Sequence, residues 1–174
     1  HALSNLDPGD YWLRISPMYF LRKAWRPQWY DRARDQQRAT LVHVPPDGGV
    51  GRVDITLEEG GRIQGDIWYE NTPETYGALV CLTSADDPAA LGWLFPGAGE
   101  MVVVVWQVPQ AYTLPGLPDG DYKIGVWPRL RGGSSPAQPP EDTIWYPETT
   151  DWNVAQAITI TGAQTITGID FDLR

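Results

Sequence analysis

Leu6-Asp-Pro-Gly-Asp-Tyr11 and Leu117-Pro-Asp-Gly-Asp-Tyr122 are one hexapeptide written twice, with its second and third residues exchanged and an offset of 111. Each runs into an alternating stretch that ends at proline, Trp12 to Pro17 and Lys123 to Pro128. Trp29-Tyr30 then matches Trp145-Tyr146 at an offset of 116. From there no gap is needed: Ala39 meets Ala155, Val42 meets Ile158, Val44 meets Ile160, Val53 meets Ile169, Asp54 meets Asp170 and Leu57 meets Leu173. The offset grows because the second stretch carries a longer loop, Arg129 to Asp142. Self-similarity of this kind is the mark of a repeated supersecondary unit.

The second stretch also has a front half: Gly60-Gly-Arg-Ile-Gln-Gly-Asp-Ile-Trp-Tyr69, then Ala78 to Thr83, then Met101 to Val108. The first stretch has none. The expected organisation is therefore a complete β-sandwich repeat over 60–174, preceded over 1–59 by the C-terminal half of another. A half sandwich leaves apolar faces and strand edges open. Upstream residues or a strand from a neighbouring subunit are expected to complete it. The chain starts at His1 without methionine, which suggests a processed chain or a window on a longer one.

Two-residue alternation dominates and helical periodicity is absent. Ile63, Ile67 and Tyr69 share one face, opposed by Arg62, Gln64, Asp66 and Trp68. Tyr122, Ile124 and Val126 oppose Lys123 and Trp127; Tyr11, Leu13 and Ile15 oppose Trp12 and Arg14. Val53, Ile55 and Leu57, like Ile169, Phe171 and Leu173, face away from their acidic neighbours. Strands with one apolar face suit two sheets packed face to face. Met101-Val-Val-Val-Val-Trp106 does not alternate, so a central strand, or one covered on both faces, is expected. Pro118-Asp-Gly120 supplies a tight turn, since proline presets φ, aspartate bonds nearby backbone and glycine accepts positive φ.

Composition agrees. Eighteen Gly and 16 Pro in 174 residues favour turns over long helices. With 42% hydrophobic residues the chain can bury a core, and its one cysteine, Cys81, excludes an internal disulfide and a cysteine zinc cluster. Net charge is −9, so nucleic acid is a poor partner, and no apolar run reaches the roughly 20 residues a membrane helix needs. The whole imbalance lies in 60–174, whereas 1–59 is neutral. Arg22, Lys23, Arg26, Arg32, Arg34 and Arg38 outnumber Asp31 and Asp35. They form either a solvated loop or a basic interface patch for an acidic neighbour.

Tyr112-Thr-Leu-Pro-Gly-Leu-Pro-Asp-Gly-Asp-Tyr-Lys-Ile124 resembles the Y-x-L-x-G-L-P-x-G-x-Y-x-V signature of carboxypeptidase regulatory-like domains. The run from Trp29-Tyr30 through Val53-Asp-Ile-Thr-Leu57 to Gly60-Gly-Arg-Ile-Gln-Gly65 is similar to the junction between their tandem copies in bacterial secreted proteins. The resemblance implies an all-β, antiparallel, transthyretin-like (prealbumin-like, Ig-like) sandwich. It implies an extracellular or cell-surface location and an accessory role as spacer, stalk or adhesion module. It supplies no catalytic residues.

A search for chemistry finds little. His43 sits in an alternating strand, no zinc motif occurs, and Gly132-Gly-Ser-Ser135 lacks the Gly-x-Ser-x-Gly of a nucleophile elbow. Acidic residues are many, but no spacing singles out a glycosidase pair. No cofactor is expected. Asp119, Asp121, Asp170 and Asp172 could meet at one sheet end, where hard oxygen ligands would suit calcium. Turn formation and solubility explain the same residues without a metal. Trp12, Trp68 and Trp127 fall on polar strand faces. Outward tryptophans stack on sugar rings, anchor protein interfaces, or lie under a covering loop. Trp29-Tyr30 and Trp145-Tyr146 read as core.

The leading expectation is a non-enzymatic structural or adhesive module of a tandem-repeat surface protein, stalk or self-assembling fibre. Its partners would be further copies or neighbouring repeats, packed head to tail. A carbohydrate-binding module that takes surface glycan, and an accessory domain of a secreted hydrolase, are the alternatives.

Overall fold

The computed structural model describes residues 3–16, 24–33, 36–49, 52–69, 75–86, 103–105, 110–130 and 141–174. Alternating side chains build strands here, and proline and glycine cut them short. The described residues form thirteen strands, short 3-10 turns and no α-helix. The protein is all-β. In 60–174, β5 (Gly61–Tyr69), β8 (Gln110–Leu117), β12 (Thr165–Ile166) and β13 (Phe171–Leu173) make a four-stranded sheet. β6 (Thr75–Ser84), β7 (Val103–Val105), β9 (Gly120–Leu130), β10 (Ile144–Trp145) and β11 (Ile158–Ile160) make a five-stranded one.

The expected apolar faces meet between the sheets. Ile63, Ile67, Leu114 and Phe171 from one sheet pack with Val80, Leu82, Ile124 and Val126 from the other, all buried. Burying such a face is the main stabilising term for two stacked sheets. Tyr112 closes one end of this core by donating its hydroxyl to the Ile169 carbonyl at 2.6 Å.

Two expectations are refined. The five-stranded sheet is antiparallel, as is the β5–β8 pair, but β12 and β13 run parallel to β5. β12 and β13 meet the same strand in succession, so they share one direction. Of the run 101–106, Val103–Val105 lies at the end of its sheet, paired with β6 alone among the described strands. The expected central position is not seen among the described strands.

Within 3–59, β1 (Gly9–Trp12) pairs with β4 (Leu41–Val44), and β2 (Arg14–Ile15) pairs with β3 (Gln28–Trp29). The registers coincide with those of the second stretch once the offsets of 111 and 116 are applied. Gly9↔Val44 and Tyr11↔Val42 correspond to Gly120↔Ile160 and Tyr122↔Ile158. Arg14↔Trp29 corresponds to Gly125↔Trp145. The turns correspond too. Trp29 N–H donates to the Ala33 carbonyl at 2.9 Å, and Trp145 N–H to that of Thr149 at 2.6 Å. Tyr30 N–H reaches Leu13 O at 2.7 Å, and Tyr146 N–H reaches Ile124 O at 2.9 Å. Arg32 and Glu148, equivalent positions, both take left-handed backbone, with φ of 62° and 64°.

The two stretches touch at Ala24 and Trp25, which meet Gly60 and Gly116, while 26–28 are laced to 56–58 within the first stretch. Gly60 N–H donates to Ala24 O at 2.6 Å, and Arg26 N–H to Glu58 O at 3.0 Å, while the Arg26 guanidinium pairs with the Glu58 carboxylate. Buried Gln28 donates to Thr56 O at 2.7 Å and accepts from Glu58 N–H at 3.3 Å. Gly116 is required at this seam: its φ is 73°, and a Cβ there would lie 2.5 Å from Trp25 O.

Candidate interaction surface

The tryptophans singled out by their strand positions meet different fates. Trp127 is buried, which corrects its assignment as an outward platform. It packs with Cys81, Trp145 and Ala155, and with half-buried Trp152, in a second small core behind the five-stranded sheet. The segment 144–155 lies over that face and makes it apolar. Gly125 admits the cover, since a Cβ there would sit 2.6 Å from Thr143 Cγ2 and 2.8 Å from Trp145 Cε3. Lys123, expected on the polar face, is buried beneath the same segment. Its ammonium donates to Trp152 O at 2.7 Å and lies 3.9 Å from the Trp152 ring centroid, a cation–π contact. Trp152 Nε1–H donates in turn to Thr83 Oγ1 at 3.0 Å. Trp145 is core, as read from the sequence; Trp29 is only half-buried, with the Arg14 guanidinium 5.8 Å from its ring centroid. Burial lowers the Arg14 pKa from its ordinary value.

Trp68 is half-buried beside Asp172 on the four-stranded sheet. Trp12 is the exposed one, at 51%, and its cross-strand partner Leu41 is 46% exposed. Leu41 escaped the sequence reading because its exposure follows from the β1–β4 register, which puts it opposite Trp12. On the same outward face the His43 imidazole Nδ1 lies 2.7 Å from Asp10 Oδ1, both groups open to solvent. The inward face of this stretch, Tyr11, Leu13 and Ile15, is only half covered, and Ile55 is 36% exposed where its equivalent Phe171 is 1% exposed.

The acidic set does not form a metal site. Asp119 accepts from Gly162 N–H at 2.8 Å, and Asp121 from Thr159 Oγ1–H at 2.6 Å. Asp170 accepts from Asp66 N–H at 2.8 Å, and Asp172 pairs with Arg174 at 2.7 Å. That pairing holds the Asp172 carboxyl down to about 2. Among the described residues no group of three His, Cys, Asp or Glu could hold a metal ion, so calcium is not supported at these positions. The carboxylates instead tie turns and neighbouring strands together.

Of the basic stretch, Arg22, Lys23 and Arg34 lie outside the described residues. Arg26 faces Glu58 within the first stretch, and Arg32 and Arg38 are exposed. What the geometry leaves open on this stretch is therefore two apolar faces, Trp12 and Leu41 exposed on one side and Tyr11, Leu13 and Ile15 half-buried on the other. They lie on a stretch whose sheets have two strands each among the described residues. Such a surface can bind by burial and by backbone pairing. No family model, curated protein or solved structure matches the chain.

Proposed function

We propose that the chain is a non-enzymatic, extracellular structural or adhesive part of a tandem-repeat surface protein, stalk or fibre. In this reading 60–174 is one whole transthyretin-like repeat and 1–59 is the rear half of another. The observation that carries it is the shared hydrogen-bond register of β1–β4 and β9–β11. Identical pairing at fixed offsets is what duplicated units retain. The signature at Tyr112–Ile124 supports the same assignment. Arrays of such units transmit load and present surface through contacts between neighbours, and here the neighbour contact is Ala24 and Trp25 against Gly60 and Gly116.

Sedimentation velocity combined with amide hydrogen exchange tests the reading. A chain that self-associates with concentration, or whose 3–59 amides exchange much faster than those of 60–174, agrees with it. A compact monomer with 3–59 fully protected overturns it. The exposed indole of Trp12 favours a second reading, sugar stacking on a surface glycan. Polysaccharide pull-down that Trp12→Ala abolishes would establish that reading in place of the first.

A further inference from the structure

We infer that the free edge of β1 and β2 is the seat of a strand of the β6 kind, donated by a front half that precedes these residues in the same polypeptide. The inference rests on the tandem-repeat reading and adds the partner and its register.

The edge is defined by hydrogen-bond direction. Leu13 O accepts from Tyr30 N–H, so Leu13 turns its backbone groups toward β3. Backbone groups alternate along a strand. Asp10, Trp12 and Ser16 therefore turn theirs the other way. In the complete unit the equivalent side of β9 is occupied. Asp121 O accepts from Ala85 N–H at 2.9 Å, and Thr83, Cys81 and Leu79 pair with Lys123, Gly125 and Trp127. Among the described residues β1 and β2 have no strand on that side.

The apolar face repeats the message. Tyr122, Ile124 and Val126 are buried because front-half strands cover them, while Tyr11, Leu13 and Ile15 are half open. Phe171 pairs with Ile67 of β5, and its equivalent Ile55 lies outside any strand pairing. The complete unit thus specifies the occupant: an antiparallel strand whose residues stand to Trp12 and Ser16 as Thr83 and Leu79 stand to Lys123 and Trp127.

A second copy of this chain is the poorer donor. Its β6 is already paired with β9 and β7, and its Ala78, Val80 and Leu82 are fully buried. Exchange would strip one core to fill another. A preceding front half loses nothing, and it stands before 3–59 in the order in which β5 to β8 stand before β9.

The test is a chimera in which Gly60–Gly116 is joined directly to Leu6–Arg174, which reproduces the Gly116-Leu117 junction at the repeat-equivalent residue. The expected result is a monomer in which the Trp12 and Ser16 amides exchange at least about tenfold more slowly than in the 174-residue chain. Unchanged exchange at these amides, with 60–174 still protected, overturns the inference. Should the chimera not fold, a synthetic peptide of Thr75–Asp86 is added to the intact chain. Saturable slowing at Trp12 and Ser16 supports the inference, and its absence at millimolar peptide overturns it. Slowing that rises with concentration in the unmodified chain, with none from the chimera or the peptide, would assign the edge to a second copy and also overturn it. That last result leaves the tandem-repeat reading standing, so the two fail separately.

Discussion

Tyr11 and Tyr122 make the same contact 111 residues apart: each donates its hydroxyl to the carbonyl four residues earlier, Asp7 at 2.7 Å and Pro118 at 2.8 Å. The contact pins the turn before each strand, much as a tyrosine corner does in other β-sandwiches. Its surroundings differ. Tyr122 is buried in the core between the two sheets of 60–174, and Tyr11 is half-buried on an open face. Tyr122→Phe is therefore expected to cost about 1 kcal/mol or more, because the Pro118 carbonyl loses its partner where water enters poorly. Tyr11→Phe should cost less, since water replaces the lost bond. Urea denaturation of both variants checks the order, and equal losses would contradict it.

The phenols also predict a pH response. Burial is the first cause that raises the pKa of Tyr112 and Tyr122 well above the ordinary value of 10, with Asp170 and Asp119 as the leading charges. A folded pKa above the unfolded one stabilises the protein fully below pH 10, and that contribution is lost as pH rises beyond it. In a spectrophotometric titration these two tyrosines should ionise only as the fold is lost. Phenolates that appear near pH 10 with the circular dichroism intact, and that Tyr112→Phe and Tyr122→Phe remove, would refute the assignment.

Trp145 lies on the bare backbone of Gly125, whereas its equivalent Trp29 is capped by the Arg14 guanidinium. One ring thus sits on glycine and the other under a cation at the same register. Gly125→Ala should lower stability by about 1–3 kcal/mol, because neither Thr143 nor Trp145 has room to retreat into the packed second core. Thermal unfolding measures it; a loss under about 0.5 kcal/mol would mean the cover lifts easily.

Lys123 is the polar counterpart in that core. Lys123→Met keeps the stem's packing but removes the donor from the carbonyls of Trp152 and Asn153 and the charge from the Trp152 ring. The expected loss is about 1–3 kcal/mol. Trp152 should become more mobile, which quenching of tryptophan fluorescence by acrylamide would report as added accessibility.

The fold was legible because alternation and turn chemistry are local. Tyr122, Ile124 and Val126 announce an inward face by spacing alone, whereas the pairings of Gly120 with Ile160 and Gly9 with Val44, related by the self-similarity, are stated by neither stretch. The fate of Trp127 was not legible. Its strand position says only that it opposes the main core; whether 144–155 folds over it depends on tertiary packing that no local pattern records. The parallel docking of β12 and β13 escaped for the same reason: two- and three-residue strands carry too little alternation to state a direction. The four aspartates were read as one cluster because they recur near turns, yet each is spent on a separate hydrogen bond to a separate neighbour.

Trp12 occupies the position that Lys123 holds 111 residues later, but is exposed where Lys123 is buried. An exposed indole next to a free strand edge promotes pairing with other chains, and lysine at such an edge opposes it. Trp12→Lys should therefore weaken self-association of the 174-residue chain by roughly tenfold or more in dissociation constant, about 1.4 kcal/mol. Leu41→Lys, on the same face but on β4, should act in the same direction but less, because β4 borders the opposite edge of the pair. Sedimentation equilibrium of the two variants measures both effects. If Trp12→Lys leaves association unchanged while Leu41→Lys abolishes it, the outward face and not the edge drives contact between chains. Neighbouring copies would then meet sheet face to sheet face.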